Sequence, residues 1–230
     1  NKCLSGGQCQ VNSSNSFGFS CACPCRFFGS RCEKHKVFKS CKELSKCEHQ
    51  DGEHYLQLQF LTCRKSVLVY CADMNTTEPK EYITLNSGEE NNFSHLDNTM
   101  SPQEFNHYGS TTKFSKIRIT ADLQITTTDH RFARLTWSDT MTIFQRYGSA
   151  GDCVTSDCTA NKIGNFRMDI RDTGLYFVTP IKWSYFGWPS ECAEHQPVNY
   201  NVDVDKQVVS GKCGARNSDT FKCRTERHRL

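Results

Sequence analysis

The stretch IRITADLQIT, residues 117–126, sets Ile117, Ile119, Ala121, Leu123 and Ile125 at every second position, with Arg118, Thr120, Asp122, Gln124 and Thr126 between them. Side chains of a β-strand point alternately to its two faces, so this spacing predicts a half-buried strand whose apolar row meets a core. The rhythm recurs along the chain. Leu56, Leu58 and Phe60 alternate with Gln57 and Gln59, and Val67, Val69 and Cys71 share a face. Phe166, Met168 and Ile170 alternate with Arg167, Asp169 and Arg171; Asp172, Thr173 and Gly174 then supply a turn before Leu175–Val178. Tyr200, Val202 and Val204 alternate with Asn201, Asp203 and Asp205. No segment carries a convincing amphipathic pattern at helical spacing. Many strands joined by polar turns predict a mostly β protein built from antiparallel pairs, as a β-sandwich or distorted barrel. Residues 86–113 break the rhythm with Asn, Ser, Thr, Glu and Gly around isolated aromatics, which predicts a long loop, either mobile or functional, with mobile surface the favoured reading.

The bulk composition narrows the compartment. The chain has 230 residues, 37% of them apolar, and a mean hydropathy of −0.63, enough for a packed core and too polar for a membrane-spanning protein. No apolar run is long enough to cross a bilayer. The residues after Asn1 form no charged-then-apolar leader, so any signal peptide is expected to have been removed. Fifteen cysteines predict an oxidising, extracellular address, where thiols pair into disulfides. Sequons at Asn12, Asn75 and Asn92 point the same way and mark these residues as candidate glycosylation sites. An odd cysteine total leaves one thiol over, which allows a disulfide-linked dimer. The formal net charge is +3; Lys and Arg are scattered, with a local concentration at Arg224–Leu230 and a short basic connector over residues 33–40. No basic stripe interleaved with aromatics occurs, which argues against nucleic acid as a partner.

Residues 3–32 hold Cys3, Cys9, Cys21, Cys23, Cys25 and Cys32, too many for a stretch too short to bury a core of its own. Gly6, Gly7 and Gly29 mark its turns. The strings CLSGGQC and CACPCRFFGSRC resemble an epidermal-growth-factor-like (EGF-like) domain. The resemblance implies a small two-hairpin module with Cys3 paired to Cys21 and Cys23 to Cys32. The family's first cysteine, expected just before Cys3, is absent, and Cys25 stands where the family has none. That orphans Cys9, and Cys25 is the expected substitute partner; the alternative is that the missing cysteine lay on residues removed upstream. The acidic residues that calcium-binding members carry before the first cysteine are not seen, so no calcium is expected in this module.

The segments YCADM (70–74), PKEYITL (79–85), FSKIRI (114–119), TTDHRFA (127–133), SAGDC (149–153) and GKCG (211–214) are similar to a GON domain, in family order over about residues 41–223. In that family the domain closes the C-terminal end of certain secreted disintegrin-like metalloproteinases with thrombospondin repeats. The resemblance implies an ancillary, non-catalytic module. The resulting organisation is an EGF-like module over 1–33, a linker over 34–40 and a disulfide-stapled, antiparallel β-sandwich-like domain over 41–230. Cys153 and Cys158, close in sequence, are expected to bridge a tight loop.

Chemistry-bearing patterns are few. The zinc motif H-E-x-x-H and the nucleophile motif G-x-S-x-G are both missing, and no two histidines show ligand spacing. Asp129 and Asp152 lie inside the family-like blocks; short carboxylates there either hold backbone amides in a turn or bind a metal, calcium or zinc being the candidates. Trp183, Tyr185, Phe186 and Trp188 cluster beside Gly187 and Pro189 and form a candidate aromatic binding loop. The reading that follows is a secreted, non-catalytic binding or adhesion protein that recognises an extracellular protein or glycan. The alternatives are an ancillary fragment of a larger secreted metalloproteinase, a calcium- or zinc-binding protein or enzyme, and a signalling, defence or toxin-like factor.

Overall fold

A computed structural model describes residues 2–14, 16–58, 66–98, 109–138, 143–149, 162–181 and 198–213, and the statements below concern these residues. The chain is mostly β. The strands are β1 (Gln8–Val11), β2 (Phe19–Ala22), β3 (Phe27–Phe28), β4 (Lys34–His35), β5 (Gly52–Leu56), β6 (Val67–Ala72) and β7 (Lys80–Thr84), followed by β8 (Phe93–Asn98), β9 (Ser110–Phe114), β10 (Lys116–Ile119), β11 (Ala133–Ser138), β12 (Lys162–Asp169), β13 (Val198–Val202) and β14 (Val208–Cys213). Helix is confined to α1 (Cys41–Leu44) and a 3₁₀ turn at Glu89–Asn91. The sheets are the hairpins β1-β2 and β3-β4, a four-stranded sheet in the order β10-β7-β6-β5, and a six-stranded sheet in the order β11-β9-β8-β12-β14-β13. The chain divides into two compact units, residues 1–66 with 71–80, and residues 67–70 with 81–230.

The first unit is held by sulfur. Disulfides join Cys3 to Cys21, Cys23 to Cys32, Cys25 to Cys47 and Cys41 to Cys71. The expected Cys9–Cys25 bridge is corrected: Cys25 is taken by Cys47, and Cys9 is a free, exposed thiol. The reason is register. Cys9 stands opposite Cys21 in the β1-β2 ladder, and Cys21 already belongs to Cys3, while Cys25 lies past the end of β2. Gly7 is required by close approach, since a Cβ there would sit 2.6 Å from the Cys32 Sγ. Helix α1 is short but capped: the Ser40 hydroxyl accepts the Glu43 amide at 3.0 Å, and the Glu43 carboxylate accepts the Lys39 amide at 3.0 Å. Its Cys41 and Leu44 are buried.

The second unit centres on β12, which pairs antiparallel with β8 on one side and β14 on the other. Phe166, Met168 and Ile170 are buried, as their spacing predicts, and so are Val67, Val69, Leu175 and Phe177. Three expectations change. The alternating run 117–126 is not one strand: β10 ends at Ile119, Leu123 adopts φ 61°, and the chain folds back so that Ile125 bridges to Ile119. Ile117, Ile119, Leu123 and Ile125 are still buried, but Ala121 lies on the exposed turn. The row Tyr200, Val202 and Val204 is not an inner face: Tyr200 is exposed, Val202 is half-buried, and Val204, in the turn after β13, is 96% exposed. Residues 86–113 are not simply a loop, because they supply β8 and β9.

These two strands escape a hydrophobicity reading because their buried faces are polar. Asn92 and Ser94 are fully buried ahead of Leu96, while Phe93 and His95 are half-buried. On β9, Ser110 and Thr112 are buried beside Phe114. A buried polar face is stable only when its groups are hydrogen-bonded. Here the Thr112 hydroxyl accepts the Gln145 amide at 2.7 Å, the Ser110 hydroxyl accepts the Gln145 side-chain amide at 2.8 Å, and the Ser94 hydroxyl accepts the Ser149 amide at 3.2 Å.

Candidate functional site

The fold-back after β10 builds a concave surface. Thr120 closes the turn, its backbone amide donating to the Gln124 carbonyl at 2.9 Å and its hydroxyl accepting the Gln124 amide at 3.0 Å. Thr126 then donates to the Arg118 carbonyl at 2.9 Å. Leu123, Ile125 and Thr127 face inward, which turns Asp122, Gln124, Thr126 and Thr128 outward. Together with Arg146, Thr120 and parts of Ile125 and Thr127, the four outward residues line a groove of about 550 Å³. Its wall offers hydroxyls that both donate and accept, one carboxylate and one guanidinium. The Gln124 side-chain nitrogen is shielded from water and has no hydrogen-bond partner among the described residues, so a polar group stands unsatisfied at the groove wall.

Asp129, within the TTDHRFA block, anchors the backbone next to the groove, its amide donating to the Thr126 carbonyl at 3.2 Å. Its Oδ1 accepts the Arg131 amide at 3.1 Å, and its Oδ2 accepts the Tyr82 hydroxyl at 3.0 Å and an Arg118 guanidinium nitrogen at 3.4 Å. Burial, reinforced by the Asp129 charge, pushes the Tyr82 phenol up to about 12, so it stays a donor. Phe132 packs edge-on against Tyr70 and Tyr82, with ring centroids 5.3 and 4.8 Å apart. His130 donates its Nε2–H to the Gln145 carbonyl at 3.1 Å and stacks on Phe144; burial lowers its pKa, which favours the neutral ring. Tyr147 donates its amide to the Thr127 carbonyl at 3.0 Å, and this bond places Arg146 at the groove. Of the two roles read for Asp129, its partners account for the turn-holding one: the charge is balanced by a guanidinium and both oxygens are engaged. Among the described residues no three His, Cys, Asp or Glu side chains gather as a metal site. A hydroxyl–imidazole pair does occur between Thr111 and His95 at 2.6 Å, but among the described residues no carboxylate orients that ring as a nucleophile's base would require.

Behind the groove lies a buried hub centred on Asn92. Its Oδ1 accepts the Tyr147 hydroxyl at 2.7 Å and the Asp169 amide at 2.8 Å. Its Nδ2 donates to the Ser87 hydroxyl at 2.9 Å and the Gly88 carbonyl at 3.1 Å. Asp169 is itself buried; burial pushes its carboxyl up, but the double hydrogen bond from Arg171 outweighs this and holds it below the usual range. The expectation that Asn92 carries a glycan is thereby corrected. Its side-chain nitrogen is enclosed and doubly bonded, and an attached sugar would exclude this packing. Asn75 is exposed, and Asn12 is half-buried in a turn where its Oδ1 accepts the Ser14 amide at 3.0 Å. Peptide mapping of the native protein with and without glycosidase is expected to find glycan at Asn75 and none at Asn92; an occupied Asn92 would overturn this arrangement.

The structure therefore brings Arg146, which carried no sequence signal of its own, beside Gln124 and the outward threonines. Arg146 lies in a segment without periodicity, and only the fold brings it beside residues 120–128. Asp152, Cys153, Cys158, Trp183, Tyr185, Phe186 and Trp188 lie outside the described residues.

Comparison with known proteins adds a lineage to this geometry. The model of the GON domain family matches residues 38–229. The human protein described as a disintegrin and metalloproteinase with thrombospondin motifs 20 is 30% identical over 199 residues, covering 78% of this chain and 10% of the relative. The Caenorhabditis elegans protein described as a disintegrin and metalloproteinase with thrombospondin motifs gon-1 is 25% identical over 171 residues, covering 66% of this chain and 7% of the relative. The chain thus spans about a tenth or less of the length of the curated relatives it matches. No solved structure matches it.

Proposed function

The chain belongs to the GON domain family, and from that premise we propose that it works outside the cell as a non-catalytic recognition module whose binding surface is the groove between residues 120–128 and Arg146. The observation that carries this reading is the groove itself: it lies in the family-matched region and is walled mainly by hydroxyl, amide, carboxylate and guanidinium groups, beside a segment anchored by Asp129. Such a wall suits a hydroxyl- or amide-rich ligand, a short glycan or an extended peptide segment, better than an apolar one. Four disulfides support the extracellular address. The Cys3–Cys21 and Cys23–Cys32 pairs around the β1-β2 hairpin support reading residues 1–33 as an EGF-like module that spaces or presents the rest.

The small share of each relative that the chain covers supports a second reading, in which it is the ancillary part of a larger secreted metalloproteinase. The mass of the native protein separates the two readings, and both give the groove the same task. Binding is tested on oligosaccharide and peptide arrays with the full chain and a Gln124→Ala, Arg146→Ala double variant. The variant is expected to bind the arrayed ligand at least about tenfold more weakly, the loss of two polar contacts, with its melting temperature kept. Equal binding by the two proteins would remove the groove from the function.

A further inference from the structure

Charge is unevenly divided along this chain. Residues 1–48 carry eight Lys and Arg against three Glu, whereas the remaining 182 carry twenty against twenty-two Asp and Glu. Such segregation is an electrostatic footprint when the cations share a surface.

In the first unit they do. Strands β3 and β4 pair antiparallel, with Phe28 opposite Lys34 and Phe27 opposite His35, and the Lys36 amide extends the ladder by donating to the Arg26 carbonyl at 2.9 Å. Opposed residues share a face and successive rungs alternate, so Arg26, Phe28, Lys34 and Lys36 lie on one face. The Lys34 ammonium lies 5.8 Å over the Phe28 ring, and on the other face the Phe27 and His35 rings pack in a tilted arrangement with centroids 4.4 Å apart. The Cys25–Cys47 disulfide ties Lys46 to the Arg26 end of this ribbon.

Acidic partners neutralise only part of the face. Arg26 pairs with Glu48 at 3.0 Å and Lys36 with Glu43 at 3.6 Å, yet the two cations stay 49% and 40% exposed. Glu33 is turned to the Arg31 amide at 2.9 Å. Lys34, Lys39 and Lys46 are exposed and form no ion pair among the described residues.

We propose that this cationic ribbon binds a sulfated glycosaminoglycan. The ligand class follows from shape and charge: an extended two-stranded face with cations on successive same-side rungs matches a linear polyanion. Phe28, 50% exposed, shares this face with the Lys34 ammonium 5.8 Å over its ring, so an anionic lipid surface is the competitor that the test includes. The site is separate from the groove and does not rest on it.

The probe is immobilised heparin, read against the full-length chain in a salt gradient. The wild-type chain is expected to be retained at 0.15 M salt, with affinity that falls steeply as salt rises, as counterion release dictates. A Lys34→Ala, Lys39→Ala, Lys46→Ala variant is expected to bind about tenfold or more weakly. A Lys206→Ala, Lys212→Ala control, which removes exposed cations from the second unit, should elute with wild type. The proposal is overturned if the triple variant elutes with wild type, if the control loses as much as the triple variant, if polyglutamate competes as well as heparin, or if phosphatidylserine vesicles bind more tightly than heparin through the same lysines.

Discussion

Replacing Asn92 with alanine is expected to destabilise the second unit by about 3–5 kcal/mol, from orphaned polar groups rather than from lost apolar burial. Asn92 is fully buried, and its amide satisfies two donors and two acceptors. Truncation removes the acceptor that the Tyr147 hydroxyl and the Asp169 amide share, where water does not reach. Each such group costs about 1–3 kcal/mol. The Tyr147 phenol cannot escape by ionising, because burial, followed by the nearby Asp169 charge, raises its pKa well above the usual value. Tyr147→Phe is the informative partner. It removes the phenol donor but leaves Asn92 Oδ1 bonded to the Asp169 amide, so its cost is about 1 kcal/mol. Urea denaturation of the two single variants and the double variant measures both the loss and the coupling. If Asn92→Ala unfolds within about 1 kcal/mol of wild type, the hub does not hold the sheet together.

The same hub explains which parts of the fold can be read in the sequence. Where a strand buries apolar side chains, as β12 does with Phe166 and Met168, alternation reveals it directly. Strands β8 and β9, with Asn92 just ahead of β8, bury Ser94, Ser110 and Thr112 instead, so their pattern reads as a polar loop although these inward polar groups are hydrogen-bonded. The run 117–126 shows the opposite failure: its alternation survives as burial at four of five positions, while the backbone turns midway. Alternation reports which side chains face in, and it does not report where the chain reverses. The Cys25–Cys47 pair was illegible for a similar reason, because cysteine spacing carries no information about which hairpin and helix the fold brings together. Of the groove, Asp129 and its block were visible as a likeness to a known domain. Arg146 was not, since its place depends on one backbone bond between Tyr147 and Thr127.

The second large effect concerns Cys41 and Cys71, and here the argument lies in the unfolded chain. Their disulfide closes a loop with a sequence separation of 30 and joins α1 to the end of β6. Chain-entropy arithmetic for a loop of that length gives a loss of about 4 kcal/mol when the link is removed. Both sulfurs are fully buried, so replacing them with alanine also forfeits packing in a unit whose helix has only four residues. A Cys41→Ala, Cys71→Ala variant is therefore expected to lose the protection of its α1 amides against hydrogen exchange and to become sensitive to protease at 37 °C. The Cys25–Cys47 link spans a shorter separation, 22, and its sulfurs lie nearer the surface, so a Cys25→Ala, Cys47→Ala variant should retain more of that protection. Exchange rates measured on both variants decide the matter. Were α1 to stay protected without Cys41–Cys71, its cap at Ser40 and the burial of Leu44 would have to hold this helix without covalent help, against the poor intrinsic stability of a single helical turn.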